Sequence, residues 1–223
     1  ENAQHVMRDL LKLQHDVPGE KLHGMWRTGV GKDREDQNWR EFVGTGFIVA
    51  REYFGDALAP DLVRDIDAAL VRAAEGAAQR DVSAGYTNIA LMSAFLLDYV
   101  GHTASKPAFQ ELGKKKAKAI HDLFFQYKTF TEFNSPTYYG VNLMGLGMWR
   151  ELAKSAELRE WGQEIESTFW HHIAQFYHAD MKNMSGPYAR GYGMDMTEYV
   201  ALVGICIAMG FDGPEDAPLP NTR

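Results

Sequence analysis

The chain has 223 residues, 45% hydrophobic and 24% charged, with a formal net charge of −7, so it is long and apolar enough for one domain with a sizeable core. The acid excess excludes a nucleic-acid surface, because no stretch gathers the Lys and Arg that phosphate neutralisation needs. A membrane span is excluded by the lack of any run of about eighteen apolar residues, and the single cysteine, Cys206, leaves no internal disulfide.

In chain order, Val6, Leu10, Leu11 and Leu13 fall at helical spacing, and the amphipathic segment they define ends at Pro18-Gly19. A long aperiodic loop follows, through Trp26, Arg27 and Gly29-Val30-Gly31. Asn38 is then placed to cap a helix over about Trp39 to Tyr53. Pro60-Asp61 opens the next helix, with Leu62, Val63, Ile66, Ala69, Leu70 and Ala73 as one stripe. After Tyr86-Thr87-Asn88, residues Ile89 to Val100 are apolar almost without a break.

The pattern then repeats. An amphipathic helix is predicted over Lys106 to Tyr127, in which Lys114-Lys115-Lys116-Ala117-Lys118 reads as a solvated face. Glu132-Phe133-Asn134-Ser135-Pro136-Thr137-Tyr138-Tyr139-Gly140 leads into an apolar helix from Val141 to Trp149. Ser135 supplies a capping hydroxyl, and Pro136 stands at the first helical position, where its missing N–H costs nothing. A last pair comprises an amphipathic helix over about Ala156 to Tyr177 and an apolar one from about Met196 to Met209.

Helices with one apolar face suit an outer layer, and helices apolar all round suit an inner layer enclosed by it. The apolar helices start near Trp39, Tyr86, Pro136 and Met196, about fifty to sixty residues apart. The expected fold is therefore all-α, a single domain over residues 1–223, with the long loops gathered at one end. Cys206, among Val203, Ile205 and Ile207, reads as an inert core thiol, and the cytoplasm is the expected compartment.

Alternating inner and outer helices at this spacing resemble the (α/α) toroid, the helical-hairpin barrel of polysaccharide lyases, many glycosidases and linalool dehydratase type enzymes. The resemblance implies an incomplete toroid of about four hairpins, shorter than a complete one. Two motifs, Glu132 to Tyr139 and Ser185 to Met196, are similar to segments of fungal proteins of uncharacterised chemistry. Toroid enzymes commonly use Tyr as acid or base, with Asn and Arg stabilising negative charge. The resemblance thus directs attention to the loop end, without supplying a reaction.

The loops are expected to bring Trp26, Arg27, Asp36, Asn38, Tyr86, Asn88, Glu132, Asn134, Tyr138, Tyr139, Tyr188, Arg190, Tyr192 and Asp195 around one cavity. Tyr138, Tyr139, Tyr192, Asp195, Arg190, Asn134 and Glu132 are the candidate catalytic groups, Arg190 being the natural cation to lower a tyrosine pKa. Trp26, Arg27, Asn38, Tyr86, Asn88, Met144, Tyr188, Met194 and Met196 are candidate substrate contacts. Tyr138 and Tyr139 have an equal claim to be packing residues, and Asp195 to be the cap of the last helix.

His171, His172 and His178 lack the i, i+4 spacing that puts two imidazoles on one helix face, and no glycine motif carries a nucleotide fingerprint, so no metal or cofactor is expected. The expected activity is a metal-independent acid–base reaction, by a lyase, dehydratase or isomerase-cyclase, on an apolar small molecule such as a terpenoid or polyketide-like metabolite. The alternatives are a lyase or glycosidase acting on a uronic-acid-containing carbohydrate, and a non-catalytic binding or scaffold protein. The apolar last helix further predicts a homo-oligomer, or a C-terminal part missing here that closes the ring.

Overall fold

The computed structural model describes residues 2–27, 35–191, 193–199 and 201–210. It is all-α apart from one small hairpin. The helices are α1 (Asn2–Leu11), α2 (Trp39–Phe54), α3 (Pro60–Arg80), α4 (Thr87–Thr103), α5 (Pro107–Tyr127), α6 (Pro136–Leu152), α7 (Ala156–Phe176) and α8 (Leu202–Ala208). Strands β1 (Tyr177–His178) and β2 (Asn183–Met184) pair antiparallel between α7 and α8.

The contacts sort the helices into two layers. In one, α2, α4, α6 and α8 are successive neighbours; in the other, α3, α5 and α7 cover them, with α1 resting on α3. Hairpin partners are α2 with α3, α4 with α5, and α6 with α7. Among the described residues, α8 and α2 make no contact comparable with those between successive inner helices.

Helix α4 holds the centre, since every residue from Thr87 to Gly101 is buried. Each fully buried Leu, Ile or Phe there is worth roughly 1.5–3 kcal/mol of transfer free energy. Two polar groups that enter this core are tied to backbone. Trp149 Nε1 on α6 donates to the Leu91 carbonyl at 2.9 Å, and Asp98 Oδ2 accepts from the Lys154 N–H at 2.7 Å and the Ser155 N–H at 3.4 Å, satisfying donors at the start of α7.

The expected boundaries need two corrections. The last apolar helix does not begin at Met196. Asp195 closes a separate turn, its carbonyl accepting from the Glu198 and Tyr199 N–H groups and its carboxylate from Thr197, so α8 starts at Leu202. Asn38 precedes α2 but makes no side-chain cap, because its amide is drawn to Tyr86 and Arg80 instead. Ser135 does cap α6, its Oγ accepting from the Tyr138 N–H at 3.4 Å. Where α8 crosses the start of α6, Gly140 is required by space: a Cβ there would lie 2.3 Å from the Leu202 carbonyl carbon and the Val203 nitrogen.

Candidate functional site

The loop between α5 and α6 is built around two left-handed residues, Lys128 (φ 56) and Asn134 (φ 50). Asn tolerates this conformation better than most side chains because its short amide bonds locally. Asn134 is completely buried. Its Nδ2 donates to the carbonyls of Ser185 and Pro187, and its backbone N–H to the Tyr139 hydroxyl. The Ala189 N–H adds a bond to the Phe133 carbonyl at 3.0 Å. Together these clamp the 185–190 segment onto the start of α6 and bring Arg190 to Tyr138, with the guanidinium carbon 5.5 Å from the ring centroid. Arg190 is solvent-exposed; Tyr138 is half-buried.

Inside this clamp lies Glu132, only 5% exposed. Its nearest polar company is the backbone of Asn88 in the first turn of α4 and the amide of Asn142 on α6. Burial pushes the carboxyl above its ordinary range; the Arg190 charge, the Asn88 backbone and the Asn142 amide oppose this without cancelling it. Asn88 and Asn142 stand close enough to favour the ionised form yet close no hydrogen bond. Among the described residues, neither oxygen of Glu132 and neither amide atom of Asn142 has a partner within bonding geometry. A buried polar atom left unmatched costs about 1–3 kcal/mol. Four such atoms lie together here, beside the first turn of α4.

Tyr139 is used differently. It is fully buried; its hydroxyl accepts from the Asn134 N–H and pairs with His172 Nε2 at 2.8 Å. Burial pushes this phenol up and keeps the His172 imidazole below its usual range. His172 is the partner that holds Tyr139 in place.

A second network joins α2, α3 and α4. Asn38 Nδ2 donates to the Tyr86 hydroxyl at 2.8 Å, and Arg80 Nη2 donates to Asn38 Oδ1 at 2.8 Å. Arg80 lies 5.7 Å from the Tyr86 ring centroid and 3.4 Å from Glu41 Oε2. Glu41 is fully buried and pushed to about 7 by burial, against the opposing charges of Arg80 and Arg40. Tyr86 and Asn88, two residues apart, link this network to Glu132.

The remaining candidates stand in other surroundings. Trp26 is fully buried, 5.7 Å from the Phe47 ring, and the exposed Arg27 donates through Nε to His15. Tyr188 donates its hydroxyl proton to the Met184 carbonyl. Asp195 is engaged by Thr197, which holds its carboxyl below the usual range, and Asp36 accepts from the Asn38 N–H. Met196 is buried, whereas Met144 and Met194 are 41% and 38% exposed. Tyr192 lies outside the described residues. The thirteen loop-end groups among the described residues therefore do not ring one cavity: they divide between the Glu132 clamp, the Asn38–Tyr86 network and positions apart from both.

Sequence reasoning missed Asn142, Glu41, Arg80 and the role of His172. For Asn142 a signal was present, a lone amide in the apolar run from Val141 to Trp149. Among the described residues, no group of three or more His, Cys, Asp or Glu side chains is placed to hold one metal ion, and no helix is long and apolar enough to cross a membrane.

The whole chain, residues 1–223, matches the model of the family described as Domain of unknown function (DUF8769), and the chain belongs to that family. No curated protein and no solved structure matches it.

Proposed function

We propose that this DUF8769 protein is an acid–base enzyme, a lyase, dehydratase or isomerase-cyclase, in which Glu132 carries the proton. The observation behind this is the buried Glu132 carboxyl, raised in pKa and with both oxygens unspent. A carboxyl whose pKa burial has raised is suited to give a proton to a departing hydroxyl; as carboxylate it then takes one from the adjacent carbon, which restores the acid and balances the elimination. The role first assigned to tyrosine passes to this acid, because the Tyr139 hydroxyl is held by Asn134 and His172. Asn142 and the first turn of α4 would steady negative charge on the substrate.

An apolar small molecule remains the leading substrate class, supported by the half-buried Tyr138 ring on the same clamp. A uronic-acid-containing carbohydrate is the second reading, favoured by one observation: the exposed Arg190 beside Tyr138 offers a cation and an aromatic face together. The two helical layers fit a partial toroid, and a half-buried thiol raised by burial fits a cytoplasmic setting.

Thermal-shift screening of monoterpene alcohols, polyketide-like lactones and hexuronate oligomers identifies the class, since a ligand that binds only the native state raises Tm. Turnover of the hit is then compared in wild type and Glu132→Gln. The variant should keep its fold and lose turnover by about 10²-fold or more. Wild-type turnover in a folded Glu132→Gln protein overturns the assignment.

A further inference from the structure

Two clefts run along α5, and Glu132 lines neither. The first, of about 220 Å³, lies between α5 and the two loops that lead into α4 and α6; Phe124, Phe130, Phe133 and Tyr127 give it an aromatic end. The second, of about 310 Å³, has Lys115 and Lys116 at its margin beside Asp81. Ala84 and Ile120 line both, so the clefts meet there and form one groove. On α5 the lining extends from Leu112 to Tyr127, about 22 Å at 1.5 Å per residue.

The two ends differ chemically. At the aromatic end, Phe124 and Phe130 pack at a tilt with centroids 4.8 Å apart and are almost fully buried, which makes a fixed floor. At the other end, Lys116 is buried and already engaged by Asp81 at 2.6 Å and by the Val82 carbonyl at 3.0 Å. Lys115 is exposed and has no ion pair among the described residues. Of the two lysines lining this end, Lys115 is the one that Asp81 does not hold in an ion pair. An apolar trough ending in an unpaired cation is complementary to an amphiphile of opposite charge.

We propose that this groove binds a linear aliphatic chain ending in an anionic group, its tail on the Phe124–Phe130 floor and its head at Lys115. The site is separate from Glu132 and does not depend on the activity proposed there. Lys115, which reads from the sequence as part of a solvated basic face, becomes the selector for the head group.

Calorimetric titration with decanoate, decanol and decyltrimethylammonium, all below their micelle concentrations, tests it. Decanoate should bind saturably, about fivefold more tightly than decanol, the most that a single exposed ion pair supplies, and the cationic amphiphile more weakly still. Lys115→Glu should abolish the preference for decanoate, and Ala84→Trp, placed where the clefts meet, should remove binding. A spin-labelled decanoate should broaden amide signals along 112–127 of wild type, a readout that requires no variant. No decanoate binding, equal binding of decanoate and decanol, broadening confined to other elements, or clear preference for an acidic peptide over decanoate would each overturn the proposal.

Discussion

The Tyr139 hydroxyl stands 2.8 Å from His172 Nε2, tying α6 to α7 beneath the loop that carries Glu132. Tyr139→Phe leaves both the Asn134 N–H and His172 short of a partner, so it should cost about 1–3 kcal/mol of stability. Chemical denaturation of the variant measures this. The loss should be matched by faster hydrogen exchange at Asn134.

His172 gives the same contact a pH dependence. Its folded pKa lies below the unfolded value because burial disfavours the imidazolium, so the unfolded chain binds the proton more tightly. Stability from this group is present above about pH 6.5 and is lost as pH falls through that value. Replacing His172 with Gln should flatten that part of the stability profile.

Glu41 acts with the opposite sign. Its carboxyl is pushed from an ordinary 4.5 to about 7 by burial, so the folded state holds the proton more tightly than the unfolded one. Its contribution is most favourable below about pH 4.5 and is lost as pH rises towards 7, on the order of 3 kcal/mol in all. Glu41→Gln should therefore raise the neutral-pH Tm and leave the acid limb unchanged, as read by thermal melts at pH 5 and pH 8.

Gly140→Ala places a methyl carbon 2.3 Å from the backbone of Leu202–Val203. The inner helix cannot yield there, so α8 must move, at a cost of about 1–3 kcal/mol. Hydrogen exchange should quicken over 202–208 while α4 keeps its protection.

Beyond α8's contact with α6, Ile205 and Met209 are 38% and 83% exposed, with Met144 on α6 at 41%. A second copy covering this face is the expected arrangement. Light scattering at micromolar concentration should report a dimer or larger species that Ile205→Glu dissociates; a monomer in both wild type and variant contradicts it.

The layered arrangement was legible because α4 and α5 carry opposite patterns: one is apolar on every side and the other on one stripe, and burial follows that difference except at Lys116, which the basic run suggested was solvated and which is buried against Asp81. Pro60 and Pro136 marked two helix starts for a local steric reason. The start of α8 was hidden because Asp195 and Thr197 form a turn that competes with helix, a choice apolar periodicity does not register. At the site, the clustering of Glu132, Asn134, Tyr138 and Arg190 followed from a shared loop end. The partition of roles did not. Which hydroxyl is already bonded and which carboxyl is left unmatched depends on partners at long range, Tyr139 meeting His172 and Glu132 meeting Asn142.

The central claim is that Glu132 is a buried acid whose proton is held for use. Carbon-13 NMR of side-chain-labelled glutamate, with Glu132 assigned by its absence in Glu132→Gln, follows this carboxyl directly through a pH titration. Its midpoint should lie above the ordinary glutamate value near 4.5, and Arg190→Ala should move it higher still by removing the opposing charge. A Glu132 carboxyl that titrates at or below 4.5, unmoved by Arg190→Ala, would contradict the account.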